Sequence, residues 1–133
     1  MPSNGNSQNN GSSGQDAITI ESGKWDYFFG RVNSNQHNQD GSLQMQQQFA
    51  RIGIFDNLAG RAAIADALQS SVNNPGSVIE TFSQTTPNGN VQNFEVVEGL
   101  LMGPGGGLKL TSTFEVLPNG GKRFVTTIPK GEQ

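Results

Sequence analysis

The chain has a single histidine, set in a run of polar residues: Gly30-Arg31-Val32-Asn33-Ser34-Asn35-Gln36-His37-Asn38-Gln39-Asp40-Gly41-Ser42. An imidazole titrates near neutral pH, so His37 can act as general acid or general base. There is no cysteine, hence no thiolate nucleophile, no zinc–cysteine site and no disulfide framework. One histidine and scattered acids give no metal-ligand spacing, and no Gly-x-Ser-x-Gly elbow supports a serine hydrolase. One chemistry needs nothing more than this set: cleavage of RNA by transesterification, without metal or cofactor. The RNA brings its own nucleophile, the 2′-hydroxyl. The protein must take that proton, return one to the leaving 5′-oxygen and stabilise charge on the phosphate. His37 suits either proton transfer. Lys109 and Arg123 can stabilise the phosphoryl oxygens, and Ser42 and Thr126 can orient them. Lys24, Arg31, Asn38 and Lys122 are further candidate RNA contacts. Two other readings stand beside this one. A histidine in a polar loop is equally an ordinary surface residue, and the chain is then a non-catalytic binding or immunity/adaptor domain. Alternatively Trp25, Tyr27 and Phe28 wall a small-ligand pocket.

The elements that must position these residues follow from composition and periodicity. A length of 133 residues is one domain. The hydrophobic share is 32%, and 18 glycines bring the apolar total to an ordinary globular level. Residues 2–16 hold nothing that could anchor a core, so residues 1–16 read as a disordered linker or appended tail and 17–133 as a single domain. The first residues lack the basic-then-apolar signal of a secretory leader, and no apolar run approaches a spanning length, so no membrane anchor is expected. Net charge is −3, but its distribution is uneven. Residues 101–133 carry Lys109, Lys122, Arg123 and Lys130 against Glu115 and Glu132, a basic C-terminal third that suits phosphate or serves only solubility.

Ala17–Ile20 reads as an edge strand or an extended lead-in. Ser22 is a candidate cap for a short helix ending near Gly30, with Trp25, Phe28, Phe29 and Val32 at helical spacing. A second helix is expected from Asp40–Ser42, with Leu43, Met45, Phe49 and Ile52 apolar and Gly53 as its stop. A third, capped by Asp56 or Asn57, carries Leu58, Ala62, Ala65, Leu68 and Val72, with Arg61 and Asp66 on its solvated side. The period then becomes two. Strands are expected over Ser77–Gln84, Val91–Met102, Leu108–Leu117 and Phe124–Ile128, joined by Pro87-Asn88-Gly89, Gly103–Gly107 and Pro118–Gly121. Connections this short join antiparallel neighbours. The fold class is α+β, with N-terminal helices packed on a C-terminal antiparallel meander. The glycine run at 103–107 leads into a strand and lacks Gly-Lys-Ser/Thr, so it is a hairpin connection and not a phosphate loop.

Four blocks carry a family resemblance: Glu21-Ser-Gly-Lys-Trp-Asp-Tyr-Phe-Phe-Gly-Arg-Val32; His37-Asn38 with Ser42; Leu101-Met-Gly-Pro-Gly-Gly106; and Arg123-Phe-Val-Thr-Thr-Ile-Pro129. Together, over roughly Glu21 to Gly131, they resemble the C-terminal toxin domains of bacterial polymorphic toxins. Their helix-then-meander order resembles the ribonuclease group of barnase, EndoU, the tRNase colicins and RelE. The resemblance implies a ribonuclease toxin cutting RNA, plausibly tRNA, and neutralised by a cognate immunity protein. It also implies delivery from a bacterium and action in the cytoplasm of a target cell; a host factor stays open as a further partner. It places a catalytic role on His37, with Ser42 as helper. One position departs. Similar domains often read His-Asn-x-x-Arg-Ser, and here the arginine position is Gly41. Either another cation serves, or the chain is an inactivated form in which Gly41→Arg would gain activity.

Overall fold

Two asparagines open the long helices. The computed structural model describes residues 17–129; the expected linker over 1–16 lies outside them. Asn35 accepts a hydrogen bond from Asn38 N at 2.8 Å and starts α2, Gln36–Arg51. Asn57 accepts from Gly60 N at 2.8 Å and starts α3, Leu58–Asn73. Caps of this kind stabilise a helix by about 1 kcal/mol each. Both helices follow a two-residue strand β1, Ile18–Thr19, and a short helix α1, Gly23–Phe28, in chain order. Ser22 stands at the N-cap of α1 but makes no side-chain cap bond. After α3 a single 3₁₀ turn, Pro75–Ser77, leads into the strands β2 (Val78–Thr85), β3 (Val91–Gly103), β4 (Gly106–Val116) and β5 (Lys122–Pro129).

The sheet runs in the order β1-β5-β4-β3-β2. β2 to β5 form an antiparallel meander, so the α+β reading holds, with helices first and strands after. β1 adds a feature to it: Ile18 pairs with Lys122 and Thr19 with Arg123 in parallel, at the edge. The glycine run at 103–107 forms a tight hairpin in which Gly103 opposes Gly106.

Helices cover one face. Phe28 from α1, Phe49 from α2 and Phe114 and Phe124 from the sheet meet at its centre, with ring centroids 5.8 Å apart for Phe28–Phe49, 5.4 Å for Phe28–Phe124 and 5.6 Å for Phe114–Phe124. All four are buried, and each contributes roughly 1.5–3 kcal/mol of burial. α3 lies along β3, and Gly99 permits the approach: a side chain there would run into Ser71.

Two helical expectations shift. α2 begins about one turn earlier than Asp40, because the Asn35 cap acts where no apolar residue signals a helix. His37 therefore sits in a helical first turn, not on a loop tip. In α3 the buried face is Gly60, Ile64, Leu68, Ser71 and Val72. Leu58, expected on it, is 90% exposed. Ile64 buries more than the small alanines can, and it sets the rotation of the helix.

Candidate active site

A groove of about 630 Å³ opens where α1, the start of α2 and β5 converge. α1 contributes Lys24 and Tyr27, α2 contributes His37 and Asn38, and β5 contributes Val125 and Thr126 over a floor at Phe124. Val125 is the extra residue of a β-bulge: Thr113 pairs with Thr126 while the adjacent Phe114 pairs with Phe124. Bulges shift the local strand course, and both Val125 and Thr126 line the groove at this one. His37 is the second residue of α2. The Asn35 side chain occupies the third amide, so among the described residues the Gln36 and His37 amides meet no acceptor. Such amides and the helix dipole favour an anion.

The other candidate residues lie elsewhere. Ser42 is fully buried; its hydroxyl donates to Tyr27 O at 2.7 Å and accepts from Val32 N at 3.5 Å. It ties the end of α1 to α2. Ser42→Ala should lower stability by about 1–3 kcal/mol, read as a fall in urea midpoint, because the carbonyl at Tyr27 loses its buried donor. Lys122 is buried and paired with Glu95. Arg123 pairs with Glu115 at 2.9 Å and reaches Glu21, on the groove rim, at 3.6 Å. Lys109 is exposed opposite Leu100, on the face of the sheet that the helices leave open, and does not line the groove. Among the described residues Lys24 makes no ion pair, which leaves it as the groove's cation.

Arg31 is engaged outside the groove. It bonds Asp26 at 2.9 Å and Asp56 at 2.8 Å, and Asp56 also holds Arg61 at 2.6 Å. Arg61 lies 5.1 Å from the centre of the Trp25 ring, so it is not a merely solvated residue of α3. Trp25 packs on Phe28, which is buried, so Trp25, Tyr27 and Phe28 do not wall one pocket. The hydrogen bond from Arg61 is the main reason the Asp56 carboxyl sits below the usual aspartate value; desolvation opposes it, and Arg31 adds to it. A carboxyl depressed in the fold stabilises above its unfolded value, and that contribution fades as pH falls through the folded value. Asp56→Asn should therefore lower the melting temperature at neutral pH, and the gap to the parent should close below the ordinary aspartate range.

A larger depression of about 840 Å³ lies between the β2–β3 and β4–β5 turns. Its one ionisable lining residue, Glu115, is taken up by Arg123, so it offers no free group for proton transfer. Among the described residues no three His, Asp or Glu side chains gather as a metal-binding group, and no helix is long and apolar enough to cross a membrane.

The helix-then-meander fold has a solved counterpart. The chain is 32% identical, with a TM-score of 0.72, to a chain of a contact-dependent growth inhibition toxin–immunity protein complex from Klebsiella pneumoniae 342. The match covers 85% of this chain and 93% of that one. The chain belongs to the contact-dependent growth inhibition toxin family. No protein-family model matches this toxin-family domain, and no curated protein does.

Within this toxin-family domain, sequence reasoning named His37, Asn38, Thr126 and Lys24, which line the groove. It named Tyr27 only as a wall of a small-ligand pocket, not as a residue of the ribonuclease site. The signal that could have marked it is Gly41, an unfavoured residue inside a helix. A methyl group on Gly41 would lie 2.6 Å from Tyr27 Oη, so the glycine makes room for the tyrosine.

Proposed function

We propose that the groove is the active site of a metal-independent endoribonuclease toxin that cleaves tRNA. The observation that carries this reading is the convergence of His37, Lys24, Asn38 and Thr126 in one groove at the capped start of α2. The imidazole of His37 is the group there that can both accept and donate a proton in the reaction. In the reaction the 2′-oxygen forms a bond to phosphorus and the bond from phosphorus to the 5′-oxygen breaks. One proton leaves the 2′-hydroxyl and one reaches the 5′-oxygen; His37 moves one of them and solvent exchanges the other. Lys24 and the Gln36 and His37 amides balance charge on the phosphate, and Asn38 and Thr126 orient it. Arg123 acts from the rim by holding Glu21.

Family membership supports the remaining roles in this reading. A bacterium delivers the domain, it acts in the cytoplasm of the target cell, and a cognate immunity protein neutralises it. The binding-domain alternative has one observation in its favour: Leu100, Met102 and Ile128 are exposed on the sheet face that carries no helix. Incubating the purified protein with total tRNA in excess EDTA separates the two. Fragments ending in 2′,3′-cyclic phosphate and 5′-hydroxyl are expected; intact tRNA at every protein concentration would favour the binding domain.

A further inference from the structure

The ring of Tyr27 packs against the core, and the residue also lines the groove. Its ring is half-buried, yet among the described residues its hydroxyl makes no hydrogen bond. Gly41 on α2 leaves it the room it occupies. The methyl group of any other residue there would come within 2.6 Å of the oxygen, closer than packed atoms allow. Glycine is among the poorest helix formers, and α2 carries it in mid-helix. Positions 37 and 41 are separated by one turn and share a helix face, so the phenol oxygen rests roughly one turn, about 5–6 Å, along α2 from the root of the His37 side chain. A phosphodiester in the groove can meet both groups.

We infer that Tyr27 is a catalytic residue of this groove, its hydroxyl donating a hydrogen bond to a non-bridging oxygen of the phosphodiester being cleaved. The inference rests on the ribonuclease reading. As the 2′-oxygen adds to phosphorus and the 5′-oxygen departs, charge builds on the non-bridging oxygens. A fixed neutral donor stabilises that charge more than it stabilises the resting phosphate. Tyr27 keeps its proton throughout, so it needs no ionisation and no co-reactant.

The test is steady-state cleavage of tRNA by the parent protein, Tyr27→Phe, Gly41→Ala and the double variant Tyr27→Phe/Gly41→Arg, with melting temperatures alongside. Tyr27→Phe should lose kcat by roughly 10²–10³-fold with KM nearly unchanged, the effect of removing one transition-state donor. Its melting temperature should hold, because the hydroxyl has no partner in the fold. Gly41→Ala keeps the phenol but pushes it aside, so it should slow cleavage even though alanine favours the helix. The double variant should recover part of the loss, since a guanidinium from position 41 starts beside the vacated oxygen. Tyr27→Phe or Gly41→Ala cleaving as fast as the parent would overturn the inference alone. So would a loss confined to KM, or one matched by a fall in melting temperature. A parent protein that leaves tRNA intact would overturn the ribonuclease reading and this inference with it.

Discussion

Replacing His37 with alanine is expected to slow tRNA cleavage by about 10²–10⁴-fold, the usual contribution of a positioned general acid or base. The melting temperature should not move. His37 is exposed, and among the described residues its side chain makes no hydrogen bond or ion pair, so the fold loses nothing when it is truncated. The α2 cap also survives, because the bond from Asn38 N goes to the Asn35 side chain. Activity and stability should therefore separate cleanly. Gel-resolved initial rates on tRNA and a thermal melt of the same sample check both halves. Cleavage that persists in His37→Ala at the parent rate would remove the imidazole from the mechanism.

The second large effect is on stability, in a residue first considered for RNA contact. Lys122→Met should lower stability by about 3 kcal/mol, because it strands a buried carboxylate. The Glu95 and Lys122 side chains are only 14% and 10% exposed, and the two are bonded across the sheet. By register Glu95 opposes Phe114 and Lys122 opposes Val116, so the pair sits on the helix-covered side at the margin of the aromatic core. Neither charge can reach bulk water freely once the other is gone. For a domain of this size the loss corresponds to a fall of roughly 10–20 °C in melting temperature. Lys122→Met/Glu95→Leu should recover most of it, since an apolar pair of similar volume replaces a buried ion pair at little cost. A thermal melt of both variants decides the matter; Lys122→Met melting with the parent would show that Lys122 is free for another partner.

The two lysine and arginine neighbours on β5 show what a sequence hides. Lys122 and Arg123 alternate across the sheet, so one meets Glu95 inside and the other Glu115 outside. Glu115 faces Arg123 across the β4–β5 hairpin, but Glu95 lies beyond the neighbouring strand, and nothing in local pattern predicts it. The meander was legible because its alternation and turn residues are local signals, and the hairpins at Pro87–Gly89, Gly103–Gly106 and Pro118–Gly121 fall where those residues stand. The start of α2 was not, because Gln36 to Asp40 are all polar and a side-chain cap leaves no periodic trace. The rotation of α3 was hidden by its alanines, which mark several faces weakly. At the site, His37 was visible by type alone. Its groove neighbours were harder: Thr126 reaches it through a bulge at Val125, and Tyr27 through a glycine one helical turn from His37. Both depend on tertiary approach.

The central claim is that RNA binds and reacts in the groove between α1, α2 and β5. The most direct measurement is amide chemical-shift mapping of the protein titrated with a 2′-O-methyl tRNA anticodon stem-loop, which lacks the nucleophile and survives. Shifts should concentrate at Lys24, Tyr27, Gln36, His37, Asn38, Val125 and Thr126, and weaken as salt is raised. Shifts confined to the open sheet face around Leu100, Met102, Lys109 and Ile128, with the groove silent, would contradict it.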